Sequence, residues 1–356
     1  MDPEGLRLVP LTAWMQASGI PVDDSAPLRA SLLAGGRSNV SYRLRDASGG
    51  DWVLRRPPLG HVLPSAHDMV REFRVLSGLN SVGFPTPPVV ALCQDDGVIG
   101  ASFLLMGFVD GRVIDSQDRA AAIDPVEAGA ICASLVDTLA DLHAIDAEAA
   151  GLGELGRPDG YLERQVRRWS QQWQLTKTRE VSDVDALQSA LETVIPSVPA
   201  GRAAIVHGDY RLDNTILGLQ EPTVQAVVDW EMATLGDPVM DLAVTLVYWT
   251  DPGDALRASV PVAEHITDRP GFWTRERVVE RYAERTGSRL DGLDACTALA
   301  CFKLAVIMES ILARSLQGQQ LGAGAAEIDG MRSATEALAA MGRQVLAHGA
   351  IAGLAS

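Results

Sequence analysis

Lysine is nearly missing from this chain. Of its 30 lysines and arginines only Lys177 and Lys303 are lysine, so any cation needed in the N-terminal third must be an arginine. Positive charge is short overall: 46 acids leave a formal net charge of −16 at pH 7, which argues against nucleic acid or an anionic membrane as the main partner. Cysteine is scarce too. Cys93, Cys132, Cys296 and Cys301 sit in apolar contexts without metal-ligand spacing, so free buried thiols in a cytoplasmic protein are expected. The start Met1-Asp2-Pro3-Glu4 lacks a basic region followed by an apolar stretch, and no signal peptide is expected. The most apolar long segment, 295–316, is interrupted by Lys303, Glu309 and Arg314, which reads as a buried helix rather than a membrane span. Internal repeats, low-complexity tracts, histidines at metal-site spacing and a Gly-Lys-Ser/Thr phosphate loop are all missing.

What is present suits a large globular protein. The 356 residues are 47% apolar and 21% charged, enough to bury a core divided into two lobes. After a short helix around Leu11 to Met15, the pattern reads strand, glycine turn, strand over 32–44. A Ser48-Gly49-Gly50 hairpin follows, then a strand over 51–56 that Pro57-Pro58 stops. Met69, Phe73, Leu76 and Leu79 share a helical face within 67–79, and 89–92 and 102–106 supply two more strands. Beyond Asp110-Gly111 the chain turns helical, with helices expected over 128–143, 161–174, 184–194, 241–248, 275–286, 296–316 and 325–348. The run Gly151-Leu152-Gly153-Glu154-Leu155-Gly156 matches a dinucleotide fingerprint literally. It follows a helix and precedes Arg157-Pro158-Asp159-Gly160, so it is a loop and carries no dehydrogenase reading.

The chemistry is concentrated in His207-Gly208-Asp209-Tyr210-Arg211-Leu212-Asp213-Asn214, preceded by apolar 203–206, and in Val227-Val228-Asp229-Trp230-Glu231. Phosphoryl transfer needs one group to orient the attacking hydroxyl and others to hold Mg²⁺. Asp209 suits the first task, and Asn214 with Asp229 the second. His207 reads as a brace of its loop. Gly35-Gly36-Arg37-Ser38-Asn39 lies between two strands, where backbone N–H groups can approach phosphates closely.

These motifs resemble the aminoglycoside phosphotransferase superfamily, and more closely the phosphotransferases related to the domain fused to some acyl-CoA dehydrogenases. That group shows His-Gly-Asp-Tyr-Arg-x-Asp-Asn and Asp-Trp-Glu-x-Ala-x-x-Gly-Asp-Pro-x-x-Asp-Leu, the latter present here from Asp229 to Leu242. The likeness runs from about Leu32 to about Leu246. It implies an α+β, bilobal, protein-kinase-like fold: a small β-rich lobe over 1–108 and a larger, mainly helical lobe over 109–356. It implies ATP and Mg²⁺ as cofactors and a small hydroxylated molecule as acceptor. Gly35, Gly36, Ser38 and Asn39 would cover the nucleotide. Met106, Gly107 and Val109 would form the hinge beside adenine. Asp241 would accept hydrogen bonds from the catalytic-loop backbone.

Where such enzymes carry a strand lysine paired to a helix glutamate, this chain offers Arg55 and Glu72. With Val53 facing the core, alternation puts Arg55 on the same side and turns Arg56 away. A weak nucleotide-binding module is thereby permitted, although intact Asp209, Asn214 and Asp229 disfavour it. A protein kinase is disfavoured by the short segment between Asp229 and Asp241. For the acceptor, Arg164 and Arg168 share a helical face ahead of Trp169 and could bind a carboxylate or phosphate, which favours a hydroxy acid or hydroxyacyl thioester over an aminoglycoside. The alternative is that these arginines pair with acids on a surface helix.

Overall fold

The computed structural model describes residues 2–33, 39–59, 68–254, 257, 260, 266–317 and 325–355. Gly35, Gly36 and Ser38 lie outside the described residues; Asn39 lies within them. The chain forms two compact units. The first comprises Met1–Gly111, Glu148–Leu152 and Gln225–Glu231, and the second Arg112–Ala147, Gly153–Val224 and Met232–Ser356. The segment carrying Asp229, expected in the C-terminal lobe, therefore clusters with the first unit.

The first unit is built on a five-stranded antiparallel sheet: β1 (Arg29–Leu32), β2 (Val40–Arg45), β3 (Asp51–Arg56), β4 (Val89–Cys93) and β5 (Phe103–Gly107), in the order β1-β2-β3-β5-β4. Asp46 makes the β2–β3 hairpin by accepting from the N–H groups of Ser48 and Gly50, with Gly49 at φ +96° supplying the left-handed step. An N-terminal helix, Leu8–Ala17, buries Leu11 and Met15 completely in a cluster with Tyr42, Leu44, Trp52, Leu54, Phe103 and Leu105.

That cluster corrects one detail of the strand reading. Trp52 and Leu54 face the hydrophobic cluster, while Val53 is half-buried on the other face. Arg55 shares Val53's face as expected, but Arg56 enters the protein instead of turning outward, and is 6% exposed. Its guanidinium donates to the carbonyls of Gly5 and Pro57, which replace the water it lost. The N-terminal segment that supplies Gly5 was not legible as a partner of this strand.

The helix Met69–Ser81 starts at Asp68, whose carboxylate accepts from Val70 and Arg71 N–H. Within it Gly78 permits close approach: a Cβ there would sit 2.5 Å from the Ala150 carbonyl and 2.8 Å from Leu152. Residues 148–152 join this unit through that contact, which gives the beginning of the fingerprint-like loop a packing role. Residues 225–231 are tied in by Val227 N–H donating to the Pro85 carbonyl at 2.9 Å and by Trp230 packing edge-on against Phe84.

The second unit is mainly helical. Its long helices are Pro125–Ala144, Tyr161–Thr176, Ser182–Val194, Val239–Tyr248, Arg275–Thr286, Leu293–Leu316 and Ala325–His348, each begun within three residues of its expected start. Leu293–Leu316 packs against Tyr161–Thr176, Val239–Tyr248 and Ala325–His348. It is long and apolar enough to cross a membrane, yet 89% of its most apolar window is buried inside the protein, as expected of a core helix. A short antiparallel pair, Ala204–Val206 with Thr234–Gly236, launches the loop that begins at His207.

Candidate active site

In the second unit, the buried strand Ala204–Val206 delivers residues 207–214 into a dense set of hydrogen bonds. Gly208 adopts φ +86°, and a Cβ there would fall 2.9 Å from Met232, so only glycine fits. Asp241, 1% exposed at the start of Val239–Tyr248, accepts from His207 N–H at 2.6 Å and Gly208 N–H at 2.7 Å. His143 Nε2 lies 3.3 Å from the same carboxylate, and its Nδ1 lies 2.6 Å from the Tyr282 hydroxyl. Burial would raise the Asp241 pKa, but His143, His207 and the Gly208 N–H outweigh it and hold the carboxyl below its ordinary range.

His207 is fully buried, and its Nδ1 accepts the Asp209 N–H at 3.1 Å, so the ring braces the loop from within. Asn214 Nδ2 donates to the Asp209 carbonyl at 2.8 Å and to its carboxylate at 3.1 Å. Arg211 Nε approaches the Asp209 carboxylate at 3.4 Å, and its Nη1 reaches Asp213 at 2.8 Å. The Tyr248 hydroxyl also bonds the Asp209 side chain; burial, then the Asp209 charge, pushes that phenol's pKa well above its ordinary value. Asp213 is raised by burial, against the pull of Arg211. Asp209 itself keeps its side chain 19% exposed. A braced, partly accessible carboxylate is what proton acceptance from a bound hydroxyl requires.

In the first unit, Arg55 on β3 lies among three acids. Its Nε is 3.0 Å from Glu72, its Nη2 bonds Asp229 and lies 3.8 Å from Glu231, and Asn39 Nδ2 donates to Glu231 at 3.1 Å. Burial would depress the arginine, but Glu72, Asp229 and Glu231 together push its pKa up, so it stays charged. Burial raises the Glu72 pKa; Arg55 pulls it back, and the Asp229 charge adds to the rise. Asp229 adopts φ +70°, a left-handed conformation in which aspartate is among the better-tolerated residues, and its side chain is 31% exposed.

The donors fit Mg²⁺ by type. Asn214 spends its NH₂ on Asp209 and keeps its amide oxygen for another partner. Asp229 and Glu231 present hard anionic oxygens beside the Arg55 guanidinium. Among the described residues no cluster of three or more histidine, cysteine and acidic side chains is arranged to hold a metal on its own.

Two expected residues, Gly107 and Arg164, have backbone partners of their own. Gly107 N–H donates to the Pro88 carbonyl at 2.8 Å, closing the sheet edge, so it is not a free donor to adenine. Met106 is 6% exposed at the end of β5, and Val109 is half-buried just beyond it. Arg164 donates from its guanidinium to the backbone carbonyls of Asp159 and Arg157, where it holds the turn before its own helix. Arg168 is exposed and lies 5.4 Å from the Trp169 ring, whose residue is 7% exposed. Glu231, Arg211, Tyr248 and Lys303 were missed as members of these clusters. Glu231 had a signal, its place two residues after Asp229; Tyr248 and Lys303 had none, because helix packing brings them in.

Comparison with known proteins settles the lineage. Residues 29–291 match the model of the APH phosphotransferase enzyme family. The chain belongs to this family. Among solved structures it resembles a Ralstonia eutropha protein assigned to the aminoglycoside phosphotransferases, at 32% identity and TM-score 0.77, over 95% of this chain and 98% of that one. A GDP complex of aminoglycoside 2'-phosphotransferase-IIIa shares the fold at 14% identity and TM-score 0.60, over 94% of this chain and 99% of that one. Curated relatives include acyl-CoA dehydrogenase family member 11 of Rattus norvegicus, 34% identical over 84% of this chain and 38% of that protein. Family member 10 of Mus musculus is 33% identical over 85% of this chain and 28% of its own length. The chain thus spans well under half the length of these dehydrogenase-family relatives. Its fold is the kinase-like fold of the family, with a small antiparallel sheet and a larger helical part.

Proposed function

We propose that this phosphotransferase is an ATP- and Mg²⁺-dependent small-molecule kinase that phosphorylates a hydroxyl group. The observation that carries the reading is the braced carboxylate of Asp209, held by Asn214, Arg211 and Tyr248 yet still partly accessible. Asp209 orients the acceptor hydroxyl and takes its proton as the oxygen forms a bond to the γ-phosphorus. The bond from that phosphorus to the β–γ bridging oxygen breaks, and the electron pair leaves with ADP. Asn214 and Asp229 are the proposed Mg²⁺ ligands; the bound ion supplies neutralisation of phosphate charge. Arg55, held by Glu72, takes the part of the usual strand lysine, and its planar fork suits two phosphate oxygens. Asn39, with Gly35, Gly36 and Ser38, would cover the nucleotide, and Met106 and Val109 would flank the base. His207 and Asp241 act only through the loop they brace.

For the acceptor we propose a hydroxy acid or hydroxyacyl thioester. Arg168 is exposed beside Trp169, which offers an anionic acceptor a cation and an aromatic face together. The dehydrogenase-family names of the relatives agree with an acyl substrate. Four buried thiols suit the reducing cytoplasm proposed for this protein.

Nucleotide consumption should be followed with and without Mg²⁺, using ATP and GTP, against hydroxy acids, hydroxyacyl thioesters and a kanamycin-type aminoglycoside. Mg²⁺-dependent product formation from an anionic alcohol is expected. Transfer to the aminoglycoside alone would overturn the substrate class. Nucleotide binding without transfer to any acceptor or to water would support a weak nucleotide-binding module instead.

A further inference from the structure

Lys303 is a buried cation of the second unit that the proposed chemistry leaves unassigned. It is one of only two lysines, and it sits in the middle of the most apolar helix, Leu293–Leu316, at 4% exposure. Burying an ammonium costs several kcal/mol unless something in the interior compensates it. Here its hydrogen-bond acceptor is a single backbone carbonyl, that of Gly208, rather than a carboxylate. The Trp169 ring lies 5.9 Å from Nζ. Burial depresses the lysine's pKa first; the charges of Asp209 and Asp241 restore part of it, and Arg168 and Arg211 oppose them.

The acceptor's position gives this lysine its meaning. The Gly208 carbonyl belongs to the peptide that continues into Asp209, and the N–H of Gly208 is already fixed by Asp241. One residue, held in a conformation only glycine tolerates, is thus gripped from two sides by two helices, by Asp241 at its N–H and by Lys303 at its carbonyl. A compact ammonium suits one carbonyl; a guanidinium would bring five donors into a place that offers one acceptor. That accounts for a lysine at this position in a chain rich in arginine.

We propose that Lys303 is a positioning residue for phosphoryl transfer: it clamps the Gly208–Asp209 peptide and so fixes where the Asp209 carboxylate meets the acceptor hydroxyl. The clamp rests on the kinase reading for its purpose but not for its existence. Loop rigidity can be measured without any acceptor.

The test compares Lys303→Met, which removes the charge and the donor at similar volume, with Lys303→Gln, which keeps a donor. Hydrogen exchange of peptides spanning 207–214 should accelerate about tenfold in Lys303→Met, with peptides of Pro125–Ala144 unchanged. Mg·ATP hydrolysis, read as inorganic phosphate release with water as acceptor, should fall about 10–100-fold, the equivalent of one hydrogen bond from a charged group. Nucleotide affinity should stay within about twofold, because the clamp acts after binding. Lys303→Gln should recover part of both losses. Unchanged loop exchange, turnover within twofold of the parent, or a Gln variant no better than Met would overturn the clamp. So would a Met variant whose exchange rises equally throughout the unit, which marks a general structural role. A parent protein without Mg·ATP turnover would count against the kinase reading instead, and loop exchange would still decide the clamp.

Discussion

The polar clusters of the two units are held by different forces. Around Arg55 in the first unit, three carboxylates share one guanidinium, and Asp229 and Glu231 remain partly exposed. Around Asp241 in the second, a buried carboxylate is satisfied by two backbone N–H groups and a histidine, and the loop it anchors is closed by the Asp209 N–H bond to His207 Nδ1 and by donors from Asn214 and Lys303. A partly exposed ion cluster can exchange a partner for an incoming cation more readily than a buried one. A buried network of fixed dipoles cannot rearrange without exposing unpaired groups. The contrast is between a cluster that can exchange partners and one that keeps a carboxylate still.

The largest expected effect tests the still carboxylate. Asp209→Asn should cut phosphoryl transfer by ~10²–10⁴ while leaving nucleotide affinity nearly intact. Paired rate and nucleotide-binding measurements check this, and near-parental turnover on an identified acceptor would refute the role.

Next comes the anchor beneath it. Asp241→Ala strips His207 N–H, Gly208 N–H and His143 of their shared partner, and should cost about 3–5 kcal/mol in chemical denaturation. The pH dependence follows from the depressed pKa. Because the folded value lies below the unfolded value of about 3.9, the stabilisation is fully present above that pH and is lost as pH falls through the folded pKa. Melting curves of parent and Asp241→Asn should therefore converge in acid and differ most near neutrality.

The exchangeable cluster gives smaller, cofactor-specific effects. If the proposed metal assignment holds, Asn214→Ala and Asp229→Ala should weaken Mg·ATP binding by about tenfold more than they weaken free ATP, since each would remove one hard oxygen ligand. Equal losses with and without Mg²⁺ would contradict the metal assignment. The neighbouring arginines sharpen the contrast within one strand. Arg55→Ala should raise the Michaelis constant for ATP, whereas Arg56→Ala should leave it nearly unchanged and instead destabilise the protein by about 1–3 kcal/mol through the orphaned carbonyls of Gly5 and Pro57. The reverse pattern would exchange their functions.

Much of this was legible in one dimension because it depends on local pattern. Period-two and period-3.6 hydrophobicity located the strands and helices, and the spacing of Asp209, Asn214 and Asp229 named a chemistry together with the family that uses it. The scarcity of lysine pointed to Arg55 before any contact was known. Other features depend on which distant surfaces meet. Arg56 is buried because an N-terminal segment supplies carbonyls to it, and Arg164 donates to a turn that only the folded chain brings within reach. Residues 225–231 join the first unit through Phe84 and Pro85, contacts between side chains and peptides well over a hundred residues apart. Lys303 in sequence is a polar interruption of an apolar helix. Its partner, the Gly208 carbonyl, lies 95 residues away, and only the packing of helices around the loop could decide that the two would meet. Sequence alone determined the elements and the chemical groups, because those follow from side-chain type and period; tertiary structure decided which groups share a charge or a carbonyl, because that follows from long-range packing.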